Sequence, residues 1–370
     1  MASGEFHQGA VLPSFPGRVD SDSGEWGTAY REVVTSDRVA ETAEDLPSTD
    51  SMPAMADPAA DHGDAALAAR RADVQAKHER LVAYLDATGH DAVLLRKADS
   101  LAWFTSGGDL SVDNATEAAT AWLFVNRKCR SLFCDNVQSA RLFEEEVAGL
   151  GFQLKERPWT EEPDAILADL CRTKRIATDC PHLGLVDAAA ELRALRYPFS
   201  PVERQRLREL GRTLSLAVEA TCQNFRPGET EAHVVGHLAH RLYREGVTPV
   251  SLRVAGDDRL ERYRQPTFKA APIHKRATVS AVGRRHGLCA AITRTVSFGK
   301  VDDDFRADHT LATMVDATCL YFSRPGEKVS EVFRRAKRIY EKFDHPHEWT
   351  LDYQGNVVGY SHREVVLRPD

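Results

Sequence analysis

Apolar residues recur with helical spacing between Ala65 and Thr88, where Val74, Leu81 and Leu85 share a stripe, and Gly89 is placed to close the helix in a left-handed cap. The apolar run inside Asp91 to Arg96 predicts a strand, and Ala121 to Asn126 with Ser131 to Asp135 predict a strand pair around the turn NRKCR. The pattern then alternates: helix Val137 to Leu150, strand Phe152 to Lys155, helix Asp164 to Arg172, strand Arg175 to Thr178, helix Leu185 to Leu195. Such alternation implies an α/β domain. The two prolines of Arg196 to Pro201 (RYPFSP) interrupt it, and a long amphipathic helix follows with Leu207, Leu210, Leu214 and Val218 on one stripe. Glu203, Arg204, Arg206, Arg208 and Glu209 read as the solvated side of that helix.

The second half carries an internal repeat. Arg226-Pro-Gly-Glu-Thr-Glu-Ala-His-Val234 precedes one helical segment, and Arg324-Pro-Gly-Glu-Lys-Val-Ser-Glu-Val332 precedes another. Each RPGE predicts a turn, with Thr230 or Ser330 accepting hydrogen bonds from the free N–H groups of the next helix. Either a duplicated half-domain or the common turn composition of RPGE accounts for the pair. Pro249 to Val254, Ala277 to Val282, Leu288 to Arg294 and Val296 to Phe298 have strand character, so helices flanking an antiparallel sheet fit this order. The predicted layout is a disordered tail over 1–64, an α/β domain over 65–198 and a second domain over 199–370. The tail is assigned because the first stretch is rich in Ser, Asp, Pro, Gly and Ala without a period.

Composition narrows the chemistry. The 370 residues are 42% hydrophobic and 28% charged, as in a soluble globular protein, and the net charge of −7 gives no reason to expect nucleic acid. No membrane span or secretion signal is expected. The seven cysteines form no CxxC pair, which points away from zinc knuckles and disulfides and toward the reducing cytoplasm. Gly107-Gly108 follows strand-like AWFTS without a phosphate-loop Lys-Ser/Thr or a GxGxxG, and no nucleophile elbow is present. Cys289 reads as a small buried hydrophobe with no base beside it.

Four segments carry a resemblance: the helix Val202 to Cys222 leading into FRPGETEAHV, DDRLERYRQP (Asp257 to Pro266), GLCAAITRTVSFG (Gly287 to Gly299) and LDYQGNVVGYSHRE (Leu351 to Glu364). Their order and spacing resemble the superfamily of methionine aminopeptidase, prolidase, aminopeptidase P and creatinase. Upstream, LVAYLDATGHDAVLL and AWFTSGG look like the N-terminal domain of the aminopeptidase P and prolidase branch. The resemblance implies an α/β (α+β) chain: a creatinase-like α/β domain, then an incomplete pita-bread domain with a curved, mainly antiparallel sheet flanked by helices.

It also implies hydrolysis of peptide bonds, often beside proline, by two divalent ions such as manganese, cobalt or zinc held by two aspartates, a histidine and two glutamates. In this chain the first aspartate falls at Ser280 and the second, eleven residues on, at Ala291. Gln265 stands where relatives have a substrate-side histidine, and Tyr353 where they have the ligand histidine. The family's glutamates would lie beyond Asp370, which leaves an unpaired sheet edge. Closely spaced dications need carboxylates to offset their repulsion, so no metal cofactor is expected.

The implied function is an Xaa-Pro aminopeptidase- or prolidase-like protein that has lost hydrolysis and binds peptides or acts as a scaffold. The alternative is an active metallopeptidase, aminopeptidase or dipeptidase, with rearranged ligands, for which His345, His347, Glu348, Asp352 and His362 are the metal-capable cluster. Arg294, His362, Arg363 and Glu364 are the candidate ligand-binding residues, a guanidinium being suited to a peptide carboxylate, although an internal ion pair uses the same groups. Peptides or a protein are the expected partners, with neither nucleic acid nor membrane, and a homodimer follows by family analogy.

Overall fold

Val74, Leu81 and Leu85 are fully buried along helix α1 (Asp64–Thr88), which Gly89 ends at φ 71° with its N–H on the Leu85 carbonyl, as the periodicity predicts. The structure is a computed structural model, and it describes residues 63–111, 118–162, 174–182 and 184–369. The predicted tail up to residue 62 and the predicted helix Asp164 to Arg172 lie outside these residues.

After α1 the chain forms β1 (Ala92–Lys97), helix α2 (Ala98–Phe104), β2 (Ala118–Asn126), β3 (Arg130–Asp135), a short helix α3 (Ser139–Arg141), β4 (Gln153–Arg157), β5 (Ile176–Thr178), β6 (Val186–Asp187) and helix α4 (Ala189–Ala194). The strands make a six-stranded mixed sheet in the order β4-β3-β2-β1-β5-β6. β2 pairs antiparallel with both β1 and β3, whereas β4, β5 and β6 join parallel. The N-terminal half is therefore mixed α/β, in keeping with the pattern of alternating elements.

Three local expectations are corrected. The AWFTS run is helical through Phe104, with Leu101, Trp103 and Phe104 buried: a short apolar run looks alike in a buried helix and a buried strand. The helix expected over Val137 to Leu150 is only α3 followed by a π turn at Leu142–Glu146, after which Gly149 and Gly151 adopt positive φ. The helix expected from Leu185 begins at Ala189, because Asp187 accepts the Ala189 N–H at 3.1 Å and Val186–Asp187 pairs with β5 instead.

Helix α5 (Pro201–Asn224) starts at a capping box. The Ser200 hydroxyl accepts the Glu203 N–H and Glu203 Oε2 accepts the Ser200 N–H at 2.7 Å, with proline at the first helical position. Leu210, Leu214 and Val218 are fully buried, each contributing roughly 1.5 to 3 kcal/mol. Glu203, however, is not on a solvated face. It is 1% exposed, pairs with Lys77 at 2.8 Å and accepts the Tyr360 hydroxyl at 2.7 Å. Arg206 likewise turns inward to the Ser106 carbonyl at 2.7 Å, while Arg204, Arg208 and Glu209 are exposed.

Next come helix α6 (Glu231–Arg244), β7 (Thr248–Gly256), helix α7 (Asp258–Arg262), β8 (Arg276–Arg285), β9 (Leu288–Ser297), helix α8 (Asp303–Phe322), helix α9 (Val329–Lys342), and a small pair of β10 (Asn356–Val357) with β11 (Val365–Val366). The order β7-β8-β9 is antiparallel throughout. Val296 and Ser297 are the end of β9 rather than a separate strand, and Phe298 lies just beyond it.

The internal repeat has a structural counterpart. α6 and α9 are both 14 residues long, and their N-caps, Thr230 and Lys328, occupy the same place in the two RPGE copies. Thr230 caps by accepting the His233 N–H at 3.2 Å. Ser330 does not cap: it lies one residue inside α9, whose cap residue Lys328 makes no side-chain cap bond. Among the described residues no helix is long and apolar enough to cross a membrane.

A seam of buried charge joins the N-terminal sheet region to the segment Gly359 to Glu364. Lys77 pairs with Asp73 at 2.6 Å and with Glu203, beneath the Tyr360 ring. Nearby, Arg196 reaches Asp99 at 2.9 Å and Glu364 at 2.8 Å, and donates to Ser100 Oγ at 3.1 Å. Burial opposes the charge on Arg196, but the two carboxylates outweigh it and push its pKa up.

Candidate functional site

Strands β8 and β9 are joined by His286 and Gly287, both at positive φ (51° and 74°), the two-residue hairpin turn whose twist suits antiparallel strands. Directly opposed residues share a face, and successive residues alternate. Ala277, Val279, Ala281, Leu288, Ala290 and Ile292 belong to the main core together with Leu210, Leu214 and Val218 of α5. The other face presents Thr278 opposite Thr295, Ser280 opposite Thr293, and Val282 opposite Ala291. Ser280 and Ala291 therefore occupy the same face on adjacent strands. Ser280 Oγ and Thr293 Oγ1 are 2.8 Å apart, and Val282, Cys289 and Ala291 form a small apolar cluster.

β7 extends this face by one strand, pairing Arg253 with Ser280 and Ser251 with Val282. The row Arg253, Ser280, Thr293 thus crosses the sheet with one cation and two hydroxyls and no carboxylate. Arg253 Nη1 donates to Oε1 of Gln265, whose Nε2 donates to both carboxylate oxygens of Asp352 at 3.1 and 3.0 Å. One residue away, Arg264 pairs with Glu348 at 2.9 Å. These bonds tie the YRQP loop to the segment 348–353.

The loop itself is anchored by Glu231, fully buried at the start of α6, which accepts the Gly256 N–H at 3.0 Å, Arg259 Nε at 2.9 Å and the Lys269 N–H at 2.7 Å. Asp257, at φ 48°, accepts three consecutive N–H groups from His274 to Arg276. Burial works against its charge, but these bonds hold its carboxyl below the usual range.

The remaining sequence candidates are dispersed. Arg294 stands opposite Val279, on the other face of the hairpin from Ser280, and pairs with Glu219 of α5 at 2.9 Å. Glu364 is 5% exposed and committed to Arg196. Arg363 lies over the ring of Tyr353, which is 57% exposed, and His362 is half-buried beside it in sequence. His345, His347, Glu348, Asp352 and His362 do not assemble: among the described residues no three His, Cys, Asp or Glu side chains stand where they could hold a metal ion.

The donor set does not fit the pair of dications that the resemblance implies. At the two aspartate positions the face offers a serine hydroxyl and a methyl group, with the Arg253 guanidinium in the adjoining position. Repulsion between two metal charges would be increased there rather than offset.

Arg253 is the functional candidate that sequence reasoning missed. Cys289 is 2% exposed, and burial pushes its thiol up to about 12, with Arg284 opposing and Glu364 adding to the shift. The native protein at pH 7.5 is accordingly expected to leave Cys289 unmodified by iodoacetamide, while denaturation exposes it. Peptide mapping by mass spectrometry reads both states, and rapid native labelling of Cys289 would contradict this assignment.

Residues 205–366, which span the hairpin, the YRQP loop and the 348–364 segment, match the family model for metallopeptidase family M24. This region is similar to metallopeptidase family M24. An uncharacterized hydrolase/peptidase of Sinorhizobium fredii is 25% identical over 180 residues, covering 46% of this chain and 45% of its own length, so the chain spans less than half of that curated relative.

Solved structures extend the likeness in fold beyond the M24 region. The X-Pro aminopeptidase of Thermotoga maritima superposes with a TM-score of 0.64 at 17% identity, over 79% of this chain and 86% of that one. The prolidase of Pyrococcus horikoshii gives 0.65 at 14%, over 78% and 83%. The N-terminal domain of the FACT complex subunit SPT16 from Cicer arietinum gives 0.62 at 13%, over 82% and 84%. At these identities the structures show a shared fold. The mixed α/β, pita-bread class expected from the four motif segments is the one observed.

Proposed function

We propose that this protein binds peptides, or serves as a scaffold, without metal-dependent hydrolysis. The observation that carries the reading is the row Arg253, Ser280, Thr293 with Ala291 beside it: the face on which relatives hold their first two carboxylates has none here. Exposed apolar side chains accompany it. Tyr263 and Phe268 flank Gln265 in its loop, and Leu351 and Tyr353 flank Asp352, each more than 40% exposed and available to peptide side chains. The family assignment supports an Xaa-Pro type of peptide as the ligand class. The likeness to a domain of a FACT complex subunit, named as a component of a complex rather than as a peptidase, is compatible with a scaffold.

The test is metal analysis joined to an activity assay. After incubation with manganese, cobalt or zinc and desalting, the protein is expected to retain no stoichiometric metal and to leave Xaa-Pro peptides intact. Stoichiometric retention together with chelator-sensitive cleavage would establish the rival reading, an active peptidase with rearranged ligands.

A further inference from the structure

Arg253 differs from four arginines near it in the second half of the chain. Arg259 has Glu231, Arg264 has Glu348, Arg276 has Glu261 and Asp302, and Arg294 has Glu219. Arg253 has no carboxylate partner among the described residues. Its contact is the neutral amide oxygen of Gln265. A guanidinium carries five N–H donors in a fixed fork, and one contact to an amide leaves most of them, and the full positive charge, available.

The orientation of Gln265 follows from its two neighbours: oxygen toward the cation, nitrogen toward the Asp352 carboxylate. The amide therefore positions Arg253 without neutralising it. Ser280 and Thr293 lie next in the same row, and because one hydroxyl of that pair donates to the other, one O–H remains to donate elsewhere.

We infer that Arg253, with the Ser280 and Thr293 hydroxyls, is a carboxylate-binding subsite that anchors the acidic group of a peptide. This rests on the peptide-binding reading above and names the chemical group of the ligand that this face holds. The fork of Arg253 receives two oxygens of one carboxylate, and a hydroxyl supplies a further donor. Asp352 fixes Gln265 but also repels an incoming anion, so its charge tempers the affinity. Gln265 is a positioning residue: a carboxylate in its place would pair with Arg253 and close the subsite.

The experiment is isothermal titration calorimetry on the metal-free protein with three probes: Ala-Pro-Ala as the free acid, the same tripeptide as its C-terminal amide, and Ala-Pro-Asp amide. At least one carboxylate-bearing peptide is expected to bind about tenfold or more tightly than Ala-Pro-Ala amide, the size of one charge-assisted contact. Preference for the free acid identifies a chain terminus as the anchor, and preference for the Asp peptide identifies a side chain.

Gln265→Glu, nearly isosteric and checked by an unchanged thermal transition, is expected to erase the preference, and Arg253→Met to do the same. Asp352→Asn is expected to strengthen it. Equal binding of the three peptides overturns the subsite while leaving peptide binding intact. Absence of binding by all three overturns both, and a preference that survives Gln265→Glu and Arg253→Met overturns the assignment to Arg253.

Discussion

Lys77→Met is expected to lower stability by about 3 to 5 kcal/mol at pH 7, the usual cost of removing one partner from a buried charge network. Lys77, Asp73 and Glu203 have side chains no more than 2% exposed, and the single ammonium serves both carboxylates at 2.6 and 2.8 Å. Without it two anions remain in a low-dielectric site, with the Tyr360 hydroxyl as donor to one of them. Burial pushes that phenol well above its ordinary value and Glu203 adds to the shift, so it stays protonated as a donor but cannot supply charge.

The pH dependence has a definite sign. Burial raises the Asp73 carboxyl, but Lys77 together with hydrogen bonds from Ser200 and Ser106 outweighs it, and the folded value lies below the ordinary 3.8. The resulting stabilisation is complete above the unfolded value and is lost as pH falls through the folded one. In the variant only the hydrogen bonds from Ser200 and Ser106 oppose burial, the Asp73 carboxyl rises, and folding takes up protons. Urea unfolding should therefore show a large gap between parent and variant at pH 7 that narrows toward about pH 4. A gap that stays constant or widens on acidification would show that the lost contribution is packing rather than charge.

Gly287→Ala is expected to cost about 2 to 4 kcal/mol, combining a backbone term of about 1 to 2 with crowding. The residue sits at φ 74°, and a Cβ there would lie 2.4 Å from Ala102 Cβ and 3.0 Å from the Tyr360 ring. Neither neighbour can step aside easily, since Ala102 is part of helix α2 and Tyr360 is bonded to Glu203. Gly299→Ala is the control: its φ is 90° but an added Cβ meets nothing within 4 Å, so only the backbone term applies. Thermal unfolding followed by tryptophan fluorescence compares the two. Equal losses would mean that the hairpin tip is not crowded against α2.

The parts of the fold that were legible in the sequence are those where one chemical signal has one structural outcome. Gly89 ends α1, the two RPGE turns precede equal helices, and the apolar alternation of β8 and β9 buries one face. What was hidden depends on partners distant in the chain. Glu203 looks like any charged residue on an amphipathic helix, and only its distant partners Lys77 and Tyr360 make it internal.

The same division applies to the candidate site. Ser280 and Ala291 were read from the eleven-residue spacing that the resemblance implies, and the structure sets both on one face of the hairpin. Arg253 carried no such signal. It is a charged residue in the apolar run Val250 to Ala255, and its face is set by an irregularity in pairing between Pro249 and Ser251 that no local pattern shows. Arg294 was misleading for a related reason: its motif is recognisable, but the parity of the strand points it at α5.

Glu203 uses its two carboxylate oxygens for different ends of the molecule. One closes the capping box with Ser200, and the other takes the hydroxyl of Tyr360, 157 positions along the chain. The first turn of α5 and the seating of the 359–364 segment are thereby one event. A chain that has begun the helix but not yet brought Tyr360 home holds a desolvated carboxylate with one donor too few. Partial folding is thus penalised where the first turn of α5 meets the 359–364 segment, which couples the ordering of the two.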